Sequence, residues 1–257
     1  SRAVVVLEDS PWFNAGRGAV FNHDGRNELD AAIMDGSTRR AGSVAGVHRV
    51  KNPVLLARAV MERSPHVMLV GDGAEAFAQT VGVTLVDPSY FRTEERWQQL
   101  QQALQAEVAK QEAALPPAFR HGTVGAVALD AQGRLAAATS TGGMTNKRWG
   151  RIGDAPVIGA GTYADARCAV SATGWGEFYI RTVAARSICA RVAWKKESVA
   201  AAAQAVVMDD VPALGGDGGV IALDAHGNFA MPFNTEGMFR GWIDRDGKAH
   251  VAMLKGE

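Results

Sequence analysis

Thr123 stands at a position where cleavage of the chain would create a nucleophile. It begins a predicted strand and follows Gly122 and a predicted exposed linker over 110–122. A threonine hydroxyl is a poor nucleophile without a neighbouring base, and an α-amine freed on the same residue would supply that base. Because an α-amine has an ordinary pKa of about 7.7–8.0, it can accept a proton near neutral pH.

Four polar motifs follow Thr123, which by itself would also suit an ordinary strand start. They are Thr139 to Lys147, Gly150 to Pro156, Gly159 to Asp165 and Thr173 to Glu177. In this order they resemble the motifs of the isoaspartyl peptidase and plant-type L-asparaginase family of N-terminal-nucleophile (Ntn) hydrolases. With further matches from Leu7 to Gly16 and over 232–238, the resemblance covers nearly the whole chain.

The resemblance implies one Ntn-hydrolase domain over 1–257 that cuts itself between Gly122 and Thr123. The products would be an α chain, 1–122, and a β chain, 123–257. Gly122 suits this cut because a residue without Cβ tolerates strained backbone.

The same resemblance implies the catalytic roles. The mature Thr123 hydroxyl would attack the side-chain amide of L-asparagine or the isopeptide carbonyl of a β-aspartyl dipeptide. Thr141 and Asn14 would lie beside it. Thr173 and the Gly174 N–H would stabilise the oxyanion, and one such donor is typically worth roughly 10²–10³ in turnover.

Substrate binding is expected from a loop with two opposite charges. Arg151 would hold the substrate's α-carboxylate through its planar fork, and Asp154 would hold the α-ammonium. A surface ion pair is the alternative for these two residues. By resemblance Gly176 belongs to the same site, and Trp175 stands where relatives carry a small residue, so it would narrow the pocket or line it with an aromatic ring.

The resemblance implies no cofactor for catalysis but a possible structural sodium ion. Backbone carbonyls would bind it, a hard-ligand arrangement in which residue identity matters little. The expected carbonyl donors are Leu7, Glu8, Ser10, Phe13, Ala15 and Arg17. The six histidines show no metal-binding spacing, so we expect no catalytic metal.

Composition narrows the class of partner. The 27 basic and 27 acidic residues are scattered, so no basic stripe is available for nucleic acid. No apolar run approaches the roughly 20 residues that span a bilayer. We therefore expect a cytoplasmic enzyme acting on small molecules and, by resemblance, a homodimer of αβ units. Cys168 and Cys189 are predicted to be buried, inert thiols.

The elements predicted to position these residues alternate between strands and helices. Strands are predicted over 19–21, 28–34, 42–47, 124–129, 135–141, 157–161, 168–173, 218–223 and 229–233. Helices are predicted over 53–63, with Asn52 as its cap, and over 93–114, 177–194 and 197–208. Strands, then helices, then strands indicate an α+β fold, and the resemblance implies a four-layer αββα sandwich.

Three alternatives remain. Residues 66–87 imitate a dinucleotide-binding unit, with Gly71-Asp72-Gly73 after a strand-like run, although Asp72 would repel a pyrophosphate. Glycosylasparaginase shares the Gly-Arg-x-Gly-Asp signature. An uncleaved, inactive scaffold is the third. The family's opening strand, with its His-Gly-Gly-Ala-Gly turn, has no counterpart here, so we expect residues ahead of Ser1 to be missing from this sequence.

Overall fold

The computed structural model describes residues 1–109, 122–244 and 246–256. Five strands form the first sheet, namely β1 (Leu29–Asp35), β2 (Ala41–Val47), β3 (Met68–Val70), β4 (Val124–Leu129) and β5 (Leu135–Thr141). Their order is β3-β2-β1-β5-β4, and only β2 and β3 are parallel. This sheet places the end of β5 next to the start of β4.

A second, antiparallel sheet lies against the first. It consists of β6 (Thr162–Ala164), β7 (Cys168–Gly174), β8 (Gly218–Asp224) and β9 (Phe229–Ala230), in that order. A separate hairpin of β10 (Gly237–Ile243) and β11 (Ala249–Leu254) follows, and sequence analysis did not predict it.

Helices cover the outer faces of both sheets. The first group is α1 (Arg2–Glu8), α2 (Pro53–Arg63), α3 (Gly71–Thr80) and α4 (Glu94–Val108), and the second is α5 (Gly176–Thr182), α6 (Ala184–Ala190), α7 (Val199–Ala205) and α8 (Val211–Ala213). Helices α1 to α3 pack on the first sheet, and α6 and α7 pack on the second. The predicted α+β class is confirmed, and its layers are arranged αββα.

Strand β5 shows how alternation of side chains builds these layers. Successive residues of a strand point to opposite faces of a sheet. Leu135 and Ala137 are buried in the core that includes the second sheet, whereas Ala138 is buried in the core beneath the first helices. Thr139 and Thr141 continue the inward face, so the polar end of β5 opens between the two sheets.

Several predicted boundaries need correction. The segment 157–161 is a loop, and the strand begins only at Thr162. The predicted helix over 177–194 is interrupted at Val183, whose backbone is left-handed at φ 49°, and it ends in a π-helical turn at Arg191–Lys195. Residues 19–21 contribute only an isolated bridge between Phe21 and Asn27. Tertiary contacts override the local periodicity in each case.

Helix α2 begins as predicted, with Asn52 ahead of Pro53, but its cap is different. No side-chain bond runs from Asn52 to the helix. Instead the Val54 N–H donates to Glu8 Oε1 at 3.0 Å, and Asn52 Nδ2 donates to Asp9 Oδ1 at 3.1 Å. A carboxylate brought from α1 therefore satisfies an N–H at this helix start, where negative charge is favourable. Burial raises the pKa of Glu8 to about 7.

The dinucleotide-binding alternative is not supported by the topology of residues 66–87. Strand β3 does lead into α3 at Gly71. The following segment, however, contributes only an antiparallel bridge between Val50 and Leu85, not a second strand parallel to β3. The βαβ unit that such a site requires is therefore not formed.

Two remaining predictions concern the linker ahead of Thr123 and membrane-spanning helices. Residues 110–121 of the linker predicted over 110–122, and the last residues of the helix predicted to reach 114, lie outside the described residues. Within the described ranges, no helix is both long and apolar enough to cross a membrane.

The prediction of inert thiols is wrong, because Cys168 and Cys189 form a disulfide. Their separation of 21 residues gave no signal, but β7 and α6 pack together and bring the two Cα atoms to 5.4 Å. The bond fastens the strand that ends at Gly174 to the helix layer. Both sulfur-bearing residues are fully buried.

Loss of this disulfide should destabilise the purified, oxidised protein. Closing a loop of this length in the unfolded chain corresponds to about 3 kcal/mol. For a chain of this size we expect the double variant Cys168→Ala/Cys189→Ala to melt about 6–12 °C lower. Wild type measured with and without dithiothreitol is the control, and equal melting temperatures for its two redox states would contradict the prediction.

Candidate active site

Thr123 lies at the mouth of the space between the two sheets, directly ahead of β4. Its Oγ1 donates to Thr141 Oγ1 at 2.9 Å, and Thr141 Oγ1 also accepts the Gly143 N–H at 3.0 Å. Antiparallel pairing of β4 with β5, in which Val124 faces Ser140, brings these two threonines together. The structure thus joins the predicted nucleophile to the predicted supporting hydroxyl.

Asn14 contacts the peptide group that precedes Thr123. Its backbone N–H donates to the Gly122 carbonyl at 2.9 Å. Its buried side chain donates to the Gly143 carbonyl at 2.7 Å and accepts the Val20 N–H at 3.0 Å. Asn14 is therefore fixed on three sides, with a donor aimed at the carbonyl that self-cleavage would attack.

The structural requirement for glycine at position 122 differs from the predicted one. It is not among the residues with left-handed backbone. A Cβ added to it would lie 2.8 Å from the Asn14 Cβ, which is closer than real side chains approach. Glycine is required here for close approach of the 14–16 loop, not for backbone strain.

A small cleft beside Thr123 collects most of the predicted site. Its lining residues are Thr123, Thr141, Gly143, Met144, Arg151, Gly153, Asp154 and Gly174. Sequence analysis assigned no role to Gly143, Met144 and Gly153. Thr173, Asn14 and Gly176 do not line the cleft but adjoin or contact residues that do.

Gly174 ends β7 at the cleft and needs to be glycine. Its φ of 152° is unfavourable for residues with a side chain, and a Cβ would lie 2.6 Å from the Tyr179 ring. Thr173 precedes it, pairs with Gly219 of β8 and is half-buried. The end of β7 thus places Gly174, but not Thr173, on the wall of the cleft.

Arg151 is held by a carboxylate to which sequence analysis gave no role. Its Nε and Nη2 donate to the two carboxylate oxygens of Glu177 at 2.9 and 2.8 Å. These hydrogen bonds from Arg151, more than the contribution of Trp175, lower the pKa of Glu177. Within the described residues, Arg151 Nη1 makes no hydrogen bond and is left for a ligand. The motif from Thr173 to Glu177 carried the sequence signal for this contact, because a glutamate in the first turn of α5 can reach back to Arg151.

Gly176 supports Arg151 and Asp154 by its lack of a side chain. A Cβ there would lie 2.8 Å from Arg151 Nη2 and 2.9 Å from Asp154 Oδ1. The start of α5 can therefore pack directly against both charged residues. Asp154 itself is buried, with 6% of its surface exposed.

A second buried carboxylate lies behind the site. Asp30 pairs with Thr141 across β1 and β5, and its Oδ1 accepts the Gly46 N–H at 2.8 Å. Burial raises the pKa of Asp30, and the positive charge of Lys147 opposes that shift. Lys147 is itself almost fully buried and donates to the Glu28 carbonyl at 3.0 Å.

The loop predicted to bind sodium has carbonyl oxygens available. The carbonyls of Phe13 and Ala15 each accept one backbone N–H, at 2.9 and 3.2 Å, so each keeps a second lone pair. The Leu7 carbonyl accepts the N–H groups of both Asp9 and Ser10. Added Cβ atoms at Gly16 and Gly18 would collide with the carbonyls of Glu8 and Phe13. Gly16 and Gly18 therefore pack directly against carbonyl oxygens of this loop. In the described part of the chain, no three or more His, Cys, Asp or Glu side chains gather into a possible metal site.

Comparison of the sequence with known proteins identifies the family of this chain. The sequence model of a family described as asparaginase matches residues 1–253. The chain belongs to the asparaginase family.

Relatives of this asparaginase-family chain come from all three domains of life. It is 55% identical over 246 residues to an isoaspartyl peptidase of Salmonella typhimurium, an alignment that covers 94% of the chain and 79% of the relative. It is 41% identical over 246 residues to a plant-type L-asparaginase of Pyrococcus abyssi, covering 92% and 79%. An isoaspartyl peptidase/L-asparaginase of Xenopus laevis is 40% identical over 259 residues, covering 99% and 81%.

Proposed function

We propose that this asparaginase-family protein is a threonine-nucleophile amidohydrolase that cleaves β-aspartyl dipeptides and L-asparagine after cutting itself at Gly122–Thr123. The observation that carries the proposal is the 2.9 Å contact between Thr123 Oγ1 and Thr141 Oγ1, in a cleft that also holds Arg151 and Asp154. The names of the relatives supply the substrate class.

In the proposed self-cleavage, Thr123 Oγ1 attacks the Gly122 carbonyl carbon. The Asn14 N–H, already 2.9 Å from the Gly122 oxygen, stabilises the negative charge that develops there. The C–N bond then breaks, the nitrogen takes up the hydroxyl proton, and an ester joins Gly122 to Thr123. Water hydrolyses that ester and leaves a carboxylate on Gly122 and a free amine on Thr123.

The mature enzyme would use the new amine as the base for the same hydroxyl. Thr123 Oγ1 attacks the substrate's side-chain carbonyl while its proton passes to the amine. Thr141 holds the hydroxyl in place, and the Gly174 N–H, with Thr173 next to it on β7, would stabilise the developing oxyanion. The amine proton is returned to the leaving group, which departs as ammonia or an amino acid, and water then releases aspartate from the acyl-enzyme.

The cleft's two charges would orient the aspartyl part of the substrate. Glu177 occupies one edge of the Arg151 guanidinium, so the substrate α-carboxylate would take Nη1. Asp154 would take the α-ammonium. The reacting carbonyl is then fixed relative to Thr123 by two ionic contacts, which favours substrates that carry both α groups.

The support from Glu177 should depend on pH with a predictable sign. Its pKa is lowered from 4.5, so the ionised form that holds Arg151 is complete above that value and is lost as pH falls through the lowered pKa. We expect Glu177→Gln to weaken L-aspartate binding about threefold at pH 7. Calorimetric titration should show that the ratio of variant to wild-type Kd shrinks towards one at acid pH. A ratio that does not change with pH would contradict this role.

We also propose a sodium ion on the 7–17 loop and assembly as a dimer of αβ units, both on the strength of the family. The carbonyls of Leu7, Glu8, Ser10, Phe13, Ala15 and Arg17 would hold the ion. It would stiffen the loop that carries Asn14. Sedimentation velocity in sodium and in choline salts tests whether the protein is a dimer. Melting temperatures measured in the same two salts test whether sodium binds.

A cytoplasmic location is proposed on the resemblance alone. Disulfides are rare in the cytosol, so the state of Cys168 and Cys189 in cells is informative. Acid quenching of cells followed by alkylation of the denatured protein should trap both as free thiols. Recovery of the disulfide would place the protein in an oxidising compartment.

The proposed activity is tested with three substrates. Purified protein should release leucine and aspartate from β-Asp-Leu and ammonia from L-asparagine, with Thr123→Ala as the blank. Turnover of N-glycosylated asparagine alone would assign the glycosylasparaginase alternative. No turnover of any of them by fully cleaved protein would overturn the proposal, and an intact, inactive chain would indicate the scaffold.

A further inference from the structure

Three buried hydroxyl groups form a connected run between the two sheets, next to the cleft. Ser171 Oγ lies 2.7 Å from Thr139 Oγ1, which lies 2.6 Å from Thr162 Oγ1, which donates to the Ala155 carbonyl at 2.9 Å. All three side chains are buried between the sheets, at 4%, 0% and 0% exposure. We call Ser171, Thr139 and Thr162 the hydroxyl run.

Every hydroxyl of the run has an acceptor for its proton. A hydroxyl donates one proton and can accept two hydrogen bonds. Thr162 Oγ1 donates to both Thr139 Oγ1 and the Ala155 carbonyl, so these two acceptors share its proton. Thr139 Oγ1 accepts the Ser171 hydroxyl and donates to the Gly161 carbonyl at 3.1 Å, which also accepts the Ala172 N–H at 2.9 Å.

Thr139, Ser171 and the acceptor Ala155 each lie within two positions of a residue of the site. Thr139 precedes Thr141 by two positions on β5, and Ser171 precedes Thr173 by two positions on β7, so each pair shares a face of its strand. The acceptor Ala155 follows Asp154 directly. The run therefore links three walls of the cleft through their nearest buried neighbours.

The fourth wall also touches the run. Gly125 follows Thr123 by two positions on β4, and a Cβ there would lie 2.9 Å from the Ser171 Cβ and would collide with its hydroxyl. Only glycine lets β4 pack this closely on Ser171. The distance from the nucleophile's strand to β7 is thus set at the same point.

We propose that the hydroxyl run is a positioning device that holds the substrate-binding loop, through Ala155, at a fixed distance from the strands that carry Thr123, Thr141 and Thr173. This inference rests on the proposed function for its kinetic consequences. Thr139, Thr162 and Ser171 do not line the cleft and are positioning residues, not catalytic ones.

The two ends of the run should have separable effects. Thr162→Val keeps the shape and removes the link to Ala155, so we expect KM for β-Asp-Leu to rise about tenfold with kcat changed less than threefold. Ser171→Ala loosens β7 against β5, so we expect kcat to fall about tenfold with little change in KM. Thr162→Ser should restore wild-type values because it returns the hydroxyl.

Ser187→Ala is the matched control, since its hydroxyl also donates to a carbonyl, that of Thr182 at 2.8 Å, but lies outside the run. Hydrogen exchange of residues 155–161 gives a readout that needs no substrate. Exchange there should be faster in Thr162→Val than in wild type, Thr162→Ser or Ser187→Ala.

Unchanged hydrogen exchange at 155–161 in Thr162→Val would overturn the proposal. Changes of kcat and KM in Ser187→Ala as large as those in the variants of the run would also overturn it. If wild type fails to hydrolyse β-Asp-Leu, the proposed function fails, and the exchange comparison still decides whether the run holds the loop.

Discussion

Replacing Thr123 with alanine should leave the chain uncut and reduce hydrolysis of β-Asp-Leu by about 10⁴-fold or more. The variant removes the only atom proposed to attack both the Gly122 carbonyl and the substrate. Neighbouring Thr141 is not expected to substitute, because its Oγ1 accepts the Gly143 N–H and, in an uncut chain, the nitrogen of residue 123 is an amide and cannot act as a base. A denaturing gel and a leucine-release assay on the same preparation measure both effects.

Thr123→Ser is the matched control for this change. It keeps a hydroxyl at the same carbon and should still cut and hydrolyse, more slowly because serine lacks the methyl group that restricts its rotamers. Cleavage of the Thr123→Ala chain at Gly122, or substantial turnover by it, would contradict the assignment of the nucleophile.

Replacing Arg151 with alanine should raise KM for β-Asp-Leu about 100-fold. The guanidinium is mostly buried, with 17% of its side chain exposed, and truncating one partner of a buried, charged contact typically costs 2–5 kcal/mol. It would also leave Glu177 beside the cleft without its partner and facing the substrate carboxylate. Arg151→Lys should recover little, because an ammonium cannot hold Glu177 and the substrate with one planar fork.

Arg148→Ala is the control for Arg151, three residues earlier on the same loop. Arg148 pairs with Glu107 at 2.7 Å, and both side chains are partly exposed. Exposed pairs contribute little, so KM should change less than twofold. Steady-state kinetics on both variants are decisive, and equal effects would show that the loop responds to any lost arginine.

Much of the site could be predicted because its residues are adjacent in the chain or lie at strand ends. Thr123 and Thr141 were predicted at the start of one strand and the end of another, and an antiparallel hairpin between them necessarily brings these ends together. Gly174 and Arg151 fell in short motifs with the family's order. In each case the signal was local in the sequence.

The features that sequence analysis missed depend on contacts between distant segments. The disulfide joins residues whose separation gave no signal, until β7 and α6 pack together. The reason for Gly122 is Asn14, more than 100 positions away. Glu8 caps α2 from α1, which was not among the predicted helices. Glu177 was quoted in a motif, but its bond to Arg151 crosses from one loop to the next helix.

Intact mass of freshly purified protein, followed during incubation, tests the central claim most directly. The account predicts that the mass of the intact chain is replaced by two masses whose sum exceeds it by one water. The N-terminal fragment should end at Gly122, and the C-terminal fragment should begin at Thr123. β-Asp-Leu hydrolysis should rise in step with that conversion. Full activity in protein that keeps a single, uncut mass would contradict the account.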